Sequence, residues 1–280
     1  MKASVNWIQD GNVGVFFYQK LSHPFHPTYL TLYCCLSIGA VYYELVCTKR
    51  SLAYRILLIM SIGLFSLYVA LLSSKAGFIS FVLTLFMMLY FSWRRKLNMR
   101  IFFRTSLIAV VSFSLFYLSV DRINGRVSSA VTDFSDSHES TKKASTAMRF
   151  VTWRAAMKIL KNNPYGIGVG NWRMAFKKEY LAMGELEAAE KPLPAHNAFL
   201  QIGVEWGYFG FFLLCFIVVL NIYYSFQSKS LFFWVFSILF PVNFLFESML
   251  ELQQGIVLFT FLTLILGFRN YSQGFPAQIS

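Results

Sequence analysis

The amino-acid sequence predicts an all-α polytopic membrane protein, and three observations lead to that prediction: composition, the length of its apolar runs, and the placement of its charges. Hydrophobic residues make up 56% of the 280 residues and charged residues only 14%, which is too apolar for one water-soluble core. A helix needs about 20 apolar residues to cross the hydrocarbon layer. About seven transmembrane helices are predicted, at residues 28–47, 54–72, 76–93, 101–120, 198–224, 231–249 and 254–268.

Basic residues between the predicted helices indicate how the chain is oriented. In the seven-helix arrangement they all fall on one side of the membrane: Lys49, Arg50, Arg55, Arg94, Arg95, Lys96, Arg100, Arg104, Lys229 and Arg269. Cytoplasmic connections carry an excess of Lys and Arg, so this side is predicted to be cytoplasmic. The N-terminus and the region around Glu251 then lie outside. The long loop is also outside, since long loops are translocated largely regardless of their charge.

The predicted organisation follows from this orientation. It comprises an extracytoplasmic N-terminal segment (1–27), four transmembrane helices (28–120), a large periplasmic loop with amphipathic helices (121–197), three transmembrane helices (198–268) and a cytoplasmic tail (269–280). The first segment lacks the charged start and continuous apolar centre of a signal peptide. Residues 121–145, which include His138, show no periodicity and are predicted to be flexible.

The net charge of +12 does not indicate a nucleic-acid partner, because many of the basic residues flank membrane segments, where they face lipid headgroups. No spacing of Cys and His resembles a zinc site, and the carboxylate clusters typical of magnesium sites are missing from the sequence. We therefore expect no metal, no other cofactor and no nucleic acid. Membrane lipid is the first partner that the sequence predicts.

The loop contains one strongly amphipathic segment, a helix predicted from about Thr146 to Leu160 and ended by Pro164. Arg149 falls on its apolar face, in the sector of Trp153, Ala156 and Leu160. A guanidinium there requires a partner, either a structural carboxylate or a phosphate. The opposite face carries Arg154, Lys158 and Lys161. That stripe is predicted to be solvated, and anionic headgroups suffice to explain it.

A Gly-rich turn and a second amphipathic helix follow. The turn, PYGIGVGN, lacks both the preceding strand and the Gly-Lys-Ser ending of a phosphate-binding loop. We interpret it as a turn rather than as a ligand site. The helix WRMAFKKEYLAM is predicted to place Lys177 and Lys178 on its polar surface.

Two candidate sites lie where predicted membrane helices begin on the outer side. His196 and Asn197 directly precede the fifth helix, where they either cap its free N–H groups or take part in proton transfer and anion binding. Lys75 follows Ser73 and Ser74 at the break between the second and third helices. Its ammonium either binds a phosphate at the membrane surface or extends harmlessly towards water.

Three acidic residues lie in or near the last membrane helices: Glu205, Glu247 and Glu251. Acids within a membrane are costly and suggest function. For Glu205, a structural counter-charge to Lys75 or Arg149 is the alternative interpretation.

Two stretches together resemble the O-antigen ligase and polymerase family of bacterial envelope proteins: RFVTWRAAMKILKNNPYGIGVGNW and PAHNAFLQIGVEWGYFGFFL. Members typically show an Arg four residues before a Trp, a Pro-x-Gly-x-Gly turn, and a His-Asn pair before a helix with Gly-x-x-Gly. Here these residues are Arg149, Trp153, Pro164, Gly166, Gly168, His196, Asn197, Gly207 and Gly210. Upstream, LLSSKAGFISFVL resembles the family's Ser-Arg-Gly segment, with Lys75 in place of the usual Arg and Ala76 where Gly is common.

The resemblance implies a GT-C-like glycosyltransferase that takes a glycan from an undecaprenyl-diphosphate carrier. The acceptor would be a hydroxyl of lipid A core, of another glycan or of a protein, in the bacterial inner membrane. Arg149, Lys75 and Asn197 would bind the diphosphate, and His196 would activate the acceptor; Arg154 and Glu205 are weaker candidates. Members usually have more membrane helices than are predicted here, so we expect a C-terminal portion of a longer protein.

Two other classes remain open at this stage. A membrane transporter would explain charges within the membrane, although the sequence shows no inverted repeat. A subunit that binds lipid-linked glycan and presents it to another transferase would share the donor site without chemistry. The sequence does not separate a ligase from a polymerase, because the two differ in their acceptor.

Overall fold

The computed structural model describes residues 26–72, 74–118, 145–228 and 230–274. These ranges contain ten α-helices, one 3₁₀ helix (Met249–Glu251) and no β-strand. The helices are α1 (Pro27–Cys47), α2 (Leu52–Leu72), α3 (Lys75–Arg94), α4 (Met99–Leu118), α5 (Ser145–Asn162), α6 (Trp172–Ala182), α7 (Leu186–Glu190), α8 (Ala198–Gln227), α9 (Leu231–Phe244) and α10 (Gln253–Gly274). The expectations for residues 1–25, for residues 121–144 with His138, for Lys229 and for residues 275–280 lie outside the described residues.

Each of the seven apolar runs contains a helix at the predicted place. Within the described residues, four helices are long and apolar enough to cross a membrane: α1, α2, α3 and α8. Two shorter apolar helices, at Leu231–Phe244 and Gln253–Gly267, lie in the last two runs. The all-α polytopic class is therefore supported, and the count of seven spans and the GT-C-like architecture stay predictions.

The chain divides into two compact units, and the first comprises Met1–Asn124 and Ser228–Phe240. In this unit α1 and α3 run parallel. Their starts meet where the Thr28 and Ser74 hydroxyls lie 3.3 Å apart, and further along the Tyr42 hydroxyl lies 2.6 Å from that of Ser92. Ser74 also caps α3, because its side chain accepts a hydrogen bond from the N–H of Gly77 at 3.3 Å. Lys75 is thereby the first residue of α3, and it is exposed.

The second unit comprises Gly125–Gln227 and Pro241–Ser280, and its core joins the loop helices to the beginning of α8. Small side chains let these helices pack closely around two buried aromatic rings. The core residues are Ala155, Ala156, Ile159, Phe176, Tyr180, Ala188, Ala189, Ala195 and Val204. The Tyr180 hydroxyl donates a hydrogen bond to the carbonyl of Leu193 at 3.0 Å. This bond ties α6 to the segment that leads into α8.

The two amphipathic loop helices agree with the sequence prediction. On α5, Ala156 and Leu160 are buried, whereas Arg154, Lys158 and Lys161 are exposed. The exposed stripe is extended by a 3.0 Å ion pair between Lys158 and Glu179 of α6. On α6, Lys177 and Lys178 are likewise exposed. The first loop helix, predicted to end at about Leu160, is two residues longer at this end, because α5 continues to Asn162 before Pro164 stops it.

Candidate active site

The segment before α8 is tied to α5 by one buried hydroxyl. Thr152 is completely buried. Its Oγ1 lies within hydrogen-bond distance of two carbonyl oxygens, that of Arg149 at 2.8 Å and that of Ala195 at 3.1 Å. Arg149 is one helical turn before Thr152, and Ala195 is the residue before His196. The contact therefore fixes the backbones that carry the two principal sequence candidates next to each other.

His196 itself has a left-handed backbone conformation, with φ of +47°. Such a conformation costs a residue other than glycine about 1–3 kcal/mol and persists only where the surroundings enforce it. On one side, the N–H of Ala195 donates to Oε1 of the buried Gln201 at 3.0 Å. On the other, Asn197 Oδ1 accepts a hydrogen bond from the N–H of Leu200 at 3.0 Å and caps α8. The strained residue is held between two anchored neighbours.

A carboxylate joins the two sequence candidates. Glu247 Oε1 lies 3.4 Å from Nη2 of Arg149, and Glu247 Oε2 lies 3.4 Å from Nδ1 of His196. The side chain of Glu247 is 12% exposed, against 21% for Arg149 and 29% for His196, so the carboxylate lies deepest. Both distances exceed the 2.7–2.9 Å that is usual for charge-assisted hydrogen bonds.

Glu247 is placed by the end of α9. Its N–H donates to the carbonyl of Asn243 at 3.0 Å, and the N–H of Phe246 donates to the same oxygen. The ring of Phe244 packs at 5.9 Å from Phe199 near the start of α8 and at 5.1 Å from Phe259 of α10. These contacts hold the turn after α9 against the first residues of α8, directly after His196 and Asn197.

The two other acidic residues form a separate buried group. Glu205 is 5% exposed, and its Oε1 accepts a hydrogen bond from Nε2 of Gln201 at 3.2 Å. Burial, together with the nearby carboxylate of Glu205, raises the pKa of Glu251 to about 7. Glu205 is therefore hydrogen-bonded by Gln201, and Arg149 is paired with Glu247. Arg149, which the sequence allows as a counter-charge to Glu205, thus pairs with a different carboxylate.

The Gly-rich turn after α5 fits into a break in α8. At Gly207 the backbone leaves the helical conformation, with φ of +70° and ψ of −165°. The N–H groups of Ile167 and Gly168 donate at 3.0 Å to the carbonyls of Val204 and Glu205, and the N–H of Tyr208 donates at 2.9 Å to the carbonyl of Pro164. Backbone groups freed by the break thus pair with the turn, as a low-dielectric environment requires.

Close approach explains the glycines on both sides of this junction. A Cβ atom on Gly166 would overlap the backbone of Glu205, and one on Gly207 would overlap the carbonyl oxygen of Pro164. Gly166 also has a positive φ, +85°, which favours glycine. The turn is therefore a structural joint, in agreement with its interpretation from the sequence.

The remaining sequence candidates lie elsewhere. Asn197 is buried, and its side-chain oxygen serves as the cap of α8. Arg154 is exposed on the face of α5 opposite to Ala156. Lys75 belongs to the first unit, at the start of α3.

Sequence reasoning singled out Glu247 as a costly acid but assigned it no role in the site. Its partners are 51 and 98 residues away along the chain, and no local pattern connects them. The signal that was available was its position near the outer end of a membrane segment, at the side where His196 and Arg149 were also predicted.

A comparison with protein families bears directly on these residues. A family model described as O-Antigen ligase matches residues 56–215, more than half of the chain. The chain belongs to the O-antigen ligase family. The resemblance inferred from the two sequence stretches is thereby confirmed. No curated protein and no solved structure matches the chain.

The part that matches the O-antigen ligase family contains Arg149 and His196, two of the three side chains that meet. It begins within α2 and ends within α8, and it also includes the sequence candidates Lys75, Asn197 and Glu205. Glu247 and Glu251 lie beyond its end. Family membership therefore supports a glycan-transfer role in polysaccharide biosynthesis, whereas the carboxylate between Arg149 and His196 is an observation of the structure alone.

Proposed function

We propose that this member of the O-antigen ligase family transfers a glycan from an undecaprenyl-diphosphate carrier to an acceptor hydroxyl in the synthesis of envelope polysaccharide. The observation that carries the proposal is the meeting of Arg149 and His196 at one carboxylate. Arginine suits a phosphate oxygen, because its planar guanidinium offers several donors. Histidine suits proton transfer near neutral pH. A group-transfer reaction from a diphosphate requires both capabilities.

In the proposed reaction the acceptor oxygen attacks the anomeric carbon of the donor glycan. A new glycosidic bond forms as the bond from that carbon to the diphosphate oxygen breaks. The acceptor proton passes to His196, and the bond electrons leave with undecaprenyl diphosphate. Arg149 stabilises the negative charge that grows on this leaving group, which is an electrostatic contribution of about 3–4 kcal/mol in comparable sites.

The other sequence candidates take supporting roles. Asn197 holds the start of α8, so its side chain acts through the position of His196, in addition to the diphosphate contact that the family resemblance implies. Lys75 stays a predicted diphosphate-binding residue on the strength of the family resemblance. Arg154 and Glu205 are not assigned to the reaction, because the first is solvated and the second is hydrogen-bonded within the protein.

The proposed location is the bacterial plasma membrane, with residues 121–197 on the periplasmic side. The placement of Lys and Arg in the other connections supports this orientation. The donor is a membrane lipid whose diphosphate would meet the protein at the membrane surface. The expected partners are this donor and an acceptor that is lipid A core, another glycan or a protein.

A second candidate is a protein that binds or transports lipid-linked glycan without chemistry. The break of α8 at Gly207 favours it, because interrupted membrane helices often border binding sites in transporters. The backbone groups at this break, however, pair with the turn at residues 164–168. We therefore favour the transferase, and the same experiment separates the two.

The test is glycan transfer in cells that lack their own ligase and polymerase, with products resolved on a gel. The chain is compared with its His196→Ala and Arg149→Ala variants, at equal amounts in the membrane. One attachment to lipid A core identifies a ligase and a ladder of products identifies a polymerase. We expect both variants to lose the product. Absence of product from the correctly inserted chain, or equal product from the variants, contradicts the proposal.

A further inference from the structure

We infer that Glu247 is a positioning residue, which orients His196 as the base and holds Arg149 for the donor diphosphate. The inference rests on the proposed function and concerns the same site. It extends beyond the region that matches the O-antigen ligase family, which ends at residue 215. It starts from the fact that one carboxylate contacts both functional side chains through different oxygens, Oε1 and Oε2.

The contact with His196 selects the reactive nitrogen. A neutral imidazole carries a proton on one ring nitrogen and a lone pair on the other. Because Nδ1 faces Glu247 Oε2 at 3.4 Å, the proton is best placed on Nδ1, where a carboxylate can accept it. Nε2 then carries the lone pair that takes the acceptor proton. The carboxylate also stabilises the imidazolium that results, as in other carboxylate–histidine pairs.

The contact with Arg149 runs through one nitrogen of the guanidinium. Nη2 lies 3.4 Å from Glu247 Oε1, and arginine has five N–H donors in all. The other donors can bind phosphate oxygens in a bidentate manner. One carboxylate thus sets the spacing between the group that binds the leaving diphosphate and the group that accepts the proton.

The placement of Glu247 suits a positioning role. Its backbone N–H is bound by Asn243, and its side chain is the least exposed of the three. A base must also be held within a fraction of an ångström of its working position. The left-handed backbone of His196 and its anchored neighbours supply the rest of that rigidity.

The same stretch of chain offers a matched control. Glu251 lies four residues after Glu247, is also partly buried, and interacts with Glu205 rather than with His196. A Glu→Gln change at either position keeps the size of the side chain and removes its charge. Among the described residues, Glu247 contacts the ring of His196, and Arg149 contacts the same carboxylate.

The first experiment measures the transfer rate of the wild type and of the Glu247→Gln, Glu247→Asp and Glu251→Gln variants in reconstituted membranes. We expect Glu247→Gln to lower kcat by about 10–100-fold, as losses of orienting groups do. Glu247→Asp should recover part of the rate because it restores the charge, and Glu251→Gln should stay within about twofold. An unchanged rate in Glu247→Gln, or no gain in Glu247→Asp, overturns the inference.

The second experiment reads the orientation of His196 without any transfer reaction. The protein is labelled with ¹⁵N-histidine, and the signal of His196 is assigned by its loss in His196→Ala among the four histidines. We expect the signal of the neutral ring to show the Nδ1-protonated tautomer in the wild type and a mixture of tautomers in Glu247→Gln. The Nε2-protonated tautomer in the wild type overturns the inference even if Glu247→Gln does not fold.

The two readouts distinguish the inference from the proposed function. If the wild type transfers no glycan but shows the Nδ1-protonated tautomer, the transferase proposal fails and the positioning by Glu247 stands. If the wild type transfers glycan and Glu247→Gln matches it in rate, only the role of Glu247 fails.

Discussion

At the scale of single residues, α5 separates a partly buried arginine from a solvated one. Arg149 and Arg154 lie on opposite faces of the helix, the first half-buried beside Glu247 and the second exposed. The amphipathic pattern predicted this separation correctly. It left two partners open for Arg149, a carboxylate or a phosphate, and the structure shows the carboxylate of Glu247 as its partner.

The first prediction compares these two arginines in the transfer assay. Arg149→Ala should lower transfer by at least about 100-fold, because it removes a charge at the leaving diphosphate. Arg154→Ala should change it by less than about twofold. The transfer rate of Arg149→Lys should lie between those of the two alanine variants, since lysine keeps the charge and lacks the planar guanidinium. Complete loss in Arg154→Ala would show that the opposite face of α5 binds the donor.

The second prediction concerns Glu251. Its pKa is raised from 4.5 to about 7 by burial and by Glu205. A raised carboxyl pKa contributes stability that is fully present below the unfolded value and is lost as pH rises through about 7. We therefore expect the melting temperature in detergent to fall between pH 5.5 and pH 8.5, and to fall further for the wild type than for Glu251→Gln. A difference between the two proteins that does not vary with pH would refute it.

The pair His196 and Asn197 illustrates how structure divides two roles between neighbours. Both residue types can cap a helix, and the sequence left open which function the pair serves. Asn197 provides the cap of α8. The imidazole of His196 faces Glu247 instead. Capping by Asn197 therefore leaves the imidazole of His196 available for the proton transfer that we propose.

At the scale of elements, the joint between the Gly-rich turn and α8 divides this helix into two parts. The helix is interrupted at Gly207, and the 20 residues from Tyr208 to Gln227 are long enough to cross about 30 Å of hydrocarbon by themselves. The part before the break, from Ala198, packs with α5 and α6 and carries the buried Val204. Glu205 lies in this first part, which reduces the expected cost of its burial compared with a place in mid-membrane.

The third prediction uses two glycines with the same backbone angle. Gly166 and Gly170 both have φ of +85°, but a Cβ would overlap backbone atoms only at Gly166, and nothing lies within 4 Å at Gly170. Gly170→Ala should cost about 1–2 kcal/mol from backbone strain alone. Gly166→Ala should cost clearly more and open the joint. The measurements are melting temperature in detergent and the rate of limited proteolysis in the loop.

Because Gly166 and Gly170 have the same φ, the two alanine variants carry similar backbone strain, and a difference between them reports the contact with α8. Equal destabilisation by the two variants would mean that the turn does not depend on close contact with α8. A larger effect of Gly166→Ala on transfer than on melting temperature would further show that the joint supports the active site.

At the scale of the whole molecule, orientation across the membrane governs which residues can meet the donor that we propose. The fourth prediction tests it with a thiol reagent that does not cross membranes. Cys47 is exposed at the end of α1, and Lys191 is exposed in the large loop. In spheroplasts, Lys191→Cys should be labelled, whereas Cys47 should react only after the membrane is opened. Cys47→Ser identifies the second signal, and the reverse pattern would invert the proposed topology.

The sequence by itself determined the helical class, the places of the apolar segments, the faces of α5 and the membership of the family. These follow from local patterns: run length, the helical period and short motifs each involve residues that are close in the chain. It also predicts that Arg149 and His196 lie on one side of the membrane, since the distribution of basic residues needs no tertiary information.

Only the tertiary structure decided what those residues contact. The pairing of Glu247 with both Arg149 and His196, the break of α8 at Gly207, and the division of roles between His196 and Asn197 depend on segments far apart in the chain. Periodicity reports which face of a helix is apolar, but it carries no information about which distant segment covers that face. The contacts that define the candidate active site are set by packing, and packing is decided by the whole chain at once.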